Sequence, residues 1–242
     1  ETERMRSSLL SAVSHDLKTP LAGIVATGST LREHEASLDP RASRALVSTM
    51  VRESERLAQL LQNLLAMSRL KSGKLELRRT PEAMEDIVGT ALGHLDDVIG
   101  KRQIDVEVPA DLPWVDVEPA LVEQVLLNLL ENALRYTPAG SRITVAAQAE
   151  DGVVKVQVSD NGPGIAERER EKVFQEFFRG SRANKRDGGV GLGLPICRAV
   201  VRAHGGSIQI RERSGGGTTI EFTLPIAAEL GDWPKSMEKV SA

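Results

Sequence analysis

Apolar residues recur at heptad spacing along the first third of the chain. Leu10, Leu17, Ile24 and Leu31 fall at equivalent positions, with Ser14, Leu21 and Gly28 between them. A second run carries Leu46, Met50, Leu57, Leu60, Leu64 and Met67 in the same register, with Glu53 as its one polar intrusion. Such spacing keeps apolar side chains on one stripe of an α-helix, so it predicts two long helices, the first over about 2–32. Leu38-Asp39-Pro40 predicts the break between them, because proline in a first helical turn lacks only an amide that has no partner there. A hairpin with so long an apolar seam has too little chain to cover it. The expected solution is a homodimer through the hairpin, a four-helix bundle.

The pattern changes from Lys71 to Pro81: Ser72-Gly73 reads as a helix end, and 74–78 alternates like a short edge strand or linker. Beyond it come an amphipathic helix through Met84, Ile87, Val88, Ala91, Leu92 and Leu95, and strands over 104–108 and 114–117. A strongly apolar helix follows, from about 119 to 136. Residues 142–148 and 153–159 alternate around Asp151-Gly152, a hairpin signal. A helix near 194–203 stops at His204-Gly205-Gly206 and precedes strands over 207–211 and 219–224. Helices mixed with hairpins predict an α/β sandwich, helices packed on one face of a mixed sheet. The expected domains are 1–73 for the hairpin, 74–81 for a linker, 82–228 for the sandwich and 229–242 for a frayed tail.

Composition narrows the chemistry. With a formal net charge of −3 and both signs interspersed, no global field recruits nucleic acid or an anionic membrane, so any phosphate chemistry must be local. Aromatic residues make up only 3% of the chain, which leaves the core to Leu, Val, Ile and Ala. The single Cys197 excludes an internal disulfide and lies in an apolar run, where it reads as a small core hydrophobe. No apolar stretch approaches the roughly 20 residues of a membrane span, and no signal-peptide pattern is visible. The expected location is cytoplasmic, with any attachment of the full-length protein to the inner membrane lying outside this segment.

Four patches carry candidate chemistry. His15 is followed directly by Asp16, with Thr19 one helical turn on and Pro20 inside the helix. A neutral imidazole is a competent nucleophile and an adjacent carboxylate can take its proton, although a lone histidine on a helix is also an ordinary seam residue. Pro20 removes the amide that would bond Asp16, which predicts a bend there. Asp160-Asn161-Gly162-Pro163-Gly164-Ile165 follows a strand, so it is either a turn or a place where backbone approaches a ligand and Asp160 accepts from a ring amine. On the apolar helix, Gln124, Asn128, Glu131, Asn132 and Arg135 form one polar stripe that either faces water or serves a ligand. Asn132 could supply an oxygen to Mg²⁺ and Arg135 could meet a phosphate. Gly188-Gly189-Val190-Gly191-Leu192-Gly193-Leu194 opens a helix, where free amides can surround phosphate oxygens. It follows a charged loop and not a strand, so it fails the context of a dinucleotide fingerprint, and it is no Walker A loop. Before it, Phe174, Phe177 and Phe178 precede Arg179, Arg182, Lys185 and Arg186, either a basic lid anchored by aromatics or a solvated loop.

Taken in order, these segments closely resemble the catalytic core of bacterial sensor histidine kinases, to about residue 226. His15 to Pro20 is similar to the phosphoacceptor box and Asn128 to Asn132 to the asparagine box. Asp160 to Gly164, Phe174 to Phe178, Gly189 to Gly193 and Gly216-Gly217-Thr218 are similar to the glycine and phenylalanine boxes. Arg6 to Leu10 and Gly191 to Arg198 most resemble the potassium-responsive members. The resemblance implies an ATP-binding domain of the histidine kinase, gyrase and Hsp90 type behind a dimeric four-helix bundle. It implies ATP and Mg²⁺ as substrate and cofactor, and a response-regulator receiver domain as partner. His15 would be the phosphorylated nucleophile, Asp16 its base and Thr19 the residue that positions water for the reverse reaction. Asn132 would hold Mg²⁺ beside Asn128, Arg135 would contact phosphate and Tyr136 the nucleoside. Asp160 would receive the adenine amine with Gly162, Gly164, Ile165 and Thr218 around it. Arg179 would approach the γ-phosphate, and Gly189, Val190, Gly191, Leu192, Gly193 and Leu194 would close over the triphosphate. Pro195 departs from the commoner pattern, at a helix start that tolerates proline. An ATP-driven conformational machine would share the nucleotide domain without a reason for His15-Asp16, and a structural module would leave the pocket vestigial.

Overall fold

The computed structural model describes residues 2–34, 37–71, 77–100, 102–181, 191–211, 213 and 216–228. Within its helices, the side chains of 2–16, 56, 59, 62, 64, 66–71 and 97 are left aside. The expected helix end at Ser72-Gly73, residues 74–76 of the linker and the tail over 229–242 lie outside the described residues. The chain forms two compact units, 1–75 with 171–196, and 76–170 with 197–242.

In the first unit, α1 spans Thr2–Glu33 and α2 spans Pro40–Lys71. Asp39 caps α2: its Oδ1 accepts from the N–H groups of Arg41 at 2.7 Å and Ala42 at 2.9 Å, two donors that an open helix start leaves unpaired. Pro20 is buried inside α1, which continues on both sides of it. The two helices meet closely at small residues. A Cβ on Gly28 would lie 3.7 Å from Met50 Cε, and one on Gly23 would lie 3.4 Å from Glu53 Cγ. The expected seam residues Leu46, Met50, Leu57 and Leu60 are half-buried. Leu64 and Met67 fall among the side chains left aside.

A second stripe runs beside that seam. Val47, Val51, Ser54, Ala58, Leu61 and Leu65 recur at alternating intervals of four and three, and all six are exposed. Leu65 keeps 59% of its surface accessible, and on α1 Leu21 and Val25 keep 50% and 60%. The heptad reading names only the first of these stripes; the packing shows the second beside it, left open.

Residues 171–196 group with the first unit. Among its described residues this segment forms no strand. Its short 3₁₀ turn, Lys172–Phe174, buries Val173 and Phe174.

The second unit contains a five-stranded sheet. In chain order its strands are β2 (Gln103–Glu107), β4 (Arg142–Glu150), β5 (Val153–Asp160), β6 (Ile208–Arg211) and β7 (Thr218–Pro225). They lie side by side as β2-β4-β5-β7-β6, with β2 parallel to β4 and every other pair antiparallel. Asp151 and Gly152 join β4 to β5 with φ of 51° and 79°, the two left-handed positions that a type I′ hairpin needs. Alternate residues Ile143, Val145 and Ala147 on β4, Val154, Val156 and Val158 on β5, and Ile220, Phe222 and Leu224 on β7 are buried. The helices supplying the other half of this core are α3 (Met84–Gly93), α5 (Pro119–Tyr136) and the part of α6 (Gly193–Ala203) beyond Ile196; a short α4 (Asp96–Ile99) follows α3. Val122, Val125, Leu126, Leu129 and Leu130 of α5 are each 1% exposed or less.

Residues 77 and 78 of the expected edge strand or linker lie in no strand, and a strand that the patterning does not announce, β1 at Thr80–Glu82, pairs antiparallel with β3 (Val115–Val117), Thr80 opposite Val117. The reason is tertiary: a three-residue strand containing Pro81 has no hydrophobic period to announce it and forms only because β3 lies alongside. Among the described residues, no helix is long and apolar enough to cross a membrane.

Candidate nucleotide site

The last residue of β5 is Asp160, paired across the ladder with Thr218, the first residue of β7. This register carries both ends to the same edge of the sheet. The amide N–H of Gly162 donates to Asp160 Oδ1 at 2.8 Å and that of Thr218 donates to the same oxygen at 3.3 Å. Arg213 donates to the Asp160 backbone carbonyl through Nη1. Burial nevertheless pushes the Asp160 carboxyl above its ordinary pKa, and these donors and the Arg213 charge only partly offset it. An N–H supplied by a ligand would stabilise the ionised form further.

The glycines around Asp160 are required by close backbone approach. A Cβ on Gly164, at φ 73°, would lie 2.8 Å from Gly217 O, and one on Gly217, at φ 96°, would lie 1.9 Å from Asp160 O. Only glycine tolerates both the conformation and the spacing. The Asp160–Gly164 segment and Gly216-Gly217-Thr218 are therefore one packed unit of two loops. Ile165 and Gly162 are half-buried in it.

Helix α5 carries the polar stripe, and burial grades along it. Asn128 is 5% exposed, Asn132 is half-buried and Arg135 and Tyr136 are exposed, so the stripe does not simply face water. The buried Nδ2 of Asn128 has no hydrogen-bond partner among the described residues. A buried N–H donor left without a partner is costly in a folded protein, and a ligand acceptor reaching it would relieve that cost. Burial raises the pKa of Glu131, while Arg135, one turn on, pulls it back. The half-buried carboxylate, the orphaned amide and the glycine cradle fit a purine base and a phosphate chain. Asn132, a neutral oxygen donor one turn after Asn128, fits a Mg²⁺ ion that takes most of its ligands from phosphate and water.

Other expected site residues belong to the first unit. His15, Asp16 and Thr19 are on α1, with Thr19 exposed and the side chains of His15 and Asp16 among those left aside. Within 171–196, the N–H of Phe177 donates to Gly191 O at 3.0 Å, and a Cβ on Gly191 would lie 2.8 Å from Phe178 O. Phe177 itself adopts φ 64° to make this approach. The aromatic segment and the end of the glycine segment are thus joined, with Leu192 buried and Gly193-Leu194 opening α6. Arg179 is exposed; Gly189, Val190 and the basic residues Arg182, Lys185 and Arg186 lie outside the described residues. Cys197 is fully buried with its thiol donating to Val125 O at 3.7 Å, and burial holds it protonated, as a core residue.

Sequence reasoning missed Arg213 at the Asp160 carbonyl, Thr137 beside Gly162, and Asn161 Oδ1, which accepts the N–H of Arg142 at 3.1 Å. No local pattern marks Arg213 or Thr137, because their partners are distant in the chain.

A sandwich with this sheet order, a polar helix stripe and a carboxylate between glycine loops defines a nucleotide-binding ATPase fold. Residues 117–228 match the "Histidine kinase-, DNA gyrase B-, and HSP90-like ATPase" family and residues 5–73 match the "His Kinase A (phospho-acceptor) domain". The chain belongs to the sensor histidine kinases. It is 36% identical to the sensor protein KdpD of Clostridium acetobutylicum over 93% of its own length and 37% identical to that of Escherichia coli K12 over 98%. It spans 25% and 26% of those two proteins, about a quarter of each. Among solved structures it is similar to full-length ShkA in complex with AMPPNP. That match has a TM-score of 0.65 and 25% identity, and covers 91% of this chain and 46% of ShkA.

Proposed function

We propose that this chain is the kinase core of a two-component sensor: it binds ATP with Mg²⁺, phosphorylates His15 and passes the phosphoryl group to an aspartate on a response-regulator receiver domain. The observation that carries the reading is Asp160, a half-buried carboxylate held by two amides at the end of β5 with its charged form under-compensated. The exocyclic amine of adenine supplies the missing donor. Thr218 supports that contact from β7, with Gly162, Gly164 and Ile165 around it, and Tyr136 meets the nucleoside. Asn128, Asn132 and Arg135 serve the phosphates and Mg²⁺, which neutralises phosphate charge when bound. Arg179 and the segment Gly189-Val190-Gly191-Leu192-Gly193-Leu194 act on the triphosphate, as the family resemblance implies.

In the transfer, an imidazole nitrogen of His15 attacks the γ-phosphorus, the bond to the β-phosphate oxygen breaks and ADP leaves, while Asp16 takes the imidazole proton. In the next step the receiver aspartate forms a new O–P bond and the N–P bond of phosphohistidine breaks. Thr19 orients water when the kinase dephosphorylates its partner. The chain acts as a homodimer: the exposed stripe Val47, Val51, Leu61 and Leu65, with Leu21 and Val25, supplies the apolar face that a second hairpin covers. The similarity to KdpD supports a potassium or osmotic signal.

Incubation with γ-labelled ATP tests this reading. The expected product is a label stable in base, lost in acid and absent from His15→Ala. Label that survives acid, or that persists in His15→Ala, overturns it.

A further inference from the structure

Arg102 lies just before β2, outside both spans matched to known families. Its Nη2 donates to Thr137 O at 3.0 Å. Thr137 is the C-terminal cap of α5, 4% exposed, and its N–H and Oγ1 both donate to Ala133 O, at 3.1 and 2.6 Å. The guanidinium here meets the carbonyl of the cap residue, at the end where the helix dipole favours a cation.

The start of the sheet fixes Arg102 in this place. Gln103, the next residue, opens β2 in register with Arg142 of β4, and its N–H donates to Ser141 O at 3.1 Å. The same ladder start presents the N–H of Arg142 to Asn161 Oδ1. The α5 terminus and Asn161 are thereby both tied to the first rung of β2 and β4. Gly162 sits against that tied backbone: a Cβ on it would lie 3.0 Å from Thr137 Cγ2, 3.2 Å from Tyr136 O and 2.9 Å from Asp160 Oδ1. Because the Gly162 N–H holds Asp160 Oδ1, displacement of Thr137 is passed through Gly162 to the carboxylate. The buried Nε of Arg102 has no hydrogen-bond partner among the described residues, so its placement carries a desolvation cost beside the bond to Thr137.

We propose that Arg102 is a positioning residue of the nucleotide site, clamping the C-terminus of α5 so that Gly162 holds Asp160 in the orientation that reads the exocyclic amine of the base. The inference rests on the reading of Asp160 as the base acceptor. Its test is calorimetric binding of ADP and of inosine diphosphate, which carries a carbonyl where adenine has the amine, to the full chain and its variants. The wild type binds ADP more tightly than inosine diphosphate. Arg102→Ala weakens ADP about fivefold, the size of one lost hydrogen bond, and leaves inosine diphosphate nearly unchanged, so the preference shrinks by the same factor. Arg102→Lys, which keeps one donor within reach of Thr137 O, recovers most of both. A wild-type preference that persists undiminished in Arg102→Ala overturns the proposal alone. Equal weakening of both nucleotides without recovery in Arg102→Lys also overturns it, as general loosening. A wild type with no preference overturns the reading of Asp160 and the proposal with it. If Arg102→Ala does not fold, Arg102→Gln is held to the same criteria.

Discussion

The backbone N–H of Glu118 donates to Nε2 of His204 at 3.0 Å. That bond requires Nε2 unprotonated, so the proton sits on Nδ1 and is donated to Val200 O at 2.8 Å. Glu118 is the N-cap of α5 and His204 directly follows the last residue of α6, so one neutral imidazole joins two helices. Arg79 adds a third element by donating to Ala203 O at 2.9 Å and pairing with Asp116 at 3.5 Å, while the N–H of Arg78 donates to the Glu118 carboxylate. The chain leaving the linker is fastened here to the start of the helix that bears Asn128.

This arrangement makes stability pH-dependent. Burial pushes the pKa of His204 below its ordinary 6.5, while Arg79, Glu118 and Asp116 are the charged groups facing it. The unfolded chain binds the proton more readily than the folded one, so the contribution of His204 is complete above about pH 6.5 and is lost as pH falls from there toward the folded value. His204→Gln should melt lower than the wild type at pH 8, and its melting temperature should fall less steeply below pH 6.5. Parallel melting curves for the two proteins over that range would exclude the assignment.

Asp160 illustrates stability set against function. Its raised pKa means that ionisation disfavours the fold, an effect absent below the unfolded pKa of about 3.8 and complete once pH exceeds the folded value. Asp160→Asn keeps an oxygen for the amides of Gly162 and Thr218 but removes the charge. Thermal melting at pH 7 should show it as stable as the wild type or more so, with ADP affinity reduced about tenfold or more by loss of a charge-assisted bond. Unchanged ADP affinity would contradict the role of Asp160.

The exposed stripe of α2 gives the third prediction. Leu61→Lys places a charge where 48% of a leucine surface stands open in the single chain. Burying a leucine is worth about 1.5–3 kcal/mol, and a symmetric dimer loses two, so its dissociation constant should rise about a hundredfold or more. Light scattering with size-exclusion chromatography reads this directly. A dimer of wild-type affinity would place the interface elsewhere. Leu57, half-buried in the hairpin's own seam, should instead lower the melting temperature when changed to Ala.

Much of the architecture is legible locally, because helix and strand periods, turn residues and caps act over a few positions. Asp39-Pro40 announces the start of α2 through a side chain that reaches amides two and three residues on. Asp151-Gly152 supplies the only two left-handed residues the β4–β5 hairpin requires, and α5 begins and ends where its apolar run does. The glycine segments are legible for the same reason, since dense glycine signals close backbone approach whatever the partner is.

What the sequence by itself determined, then, is the order of elements, the helical hairpin ahead of a mixed α/β sandwich, and the set of segments that bear chemistry. Tertiary structure decided which of them meet. Asp160 faces Thr218 because β5 and β7 are neighbours 58 residues apart in the chain, and Arg213 and Arg102 enter through partners 53 and 35 residues away. It also decided which of two adjacent stripes on α2 closes the hairpin and which is left open, and it paired β1 with β3 without any period to foretell it. Periodicity reports the face a residue occupies. Only packing, which brings distant segments within hydrogen-bond and van der Waals range, fixes what lies opposite that face.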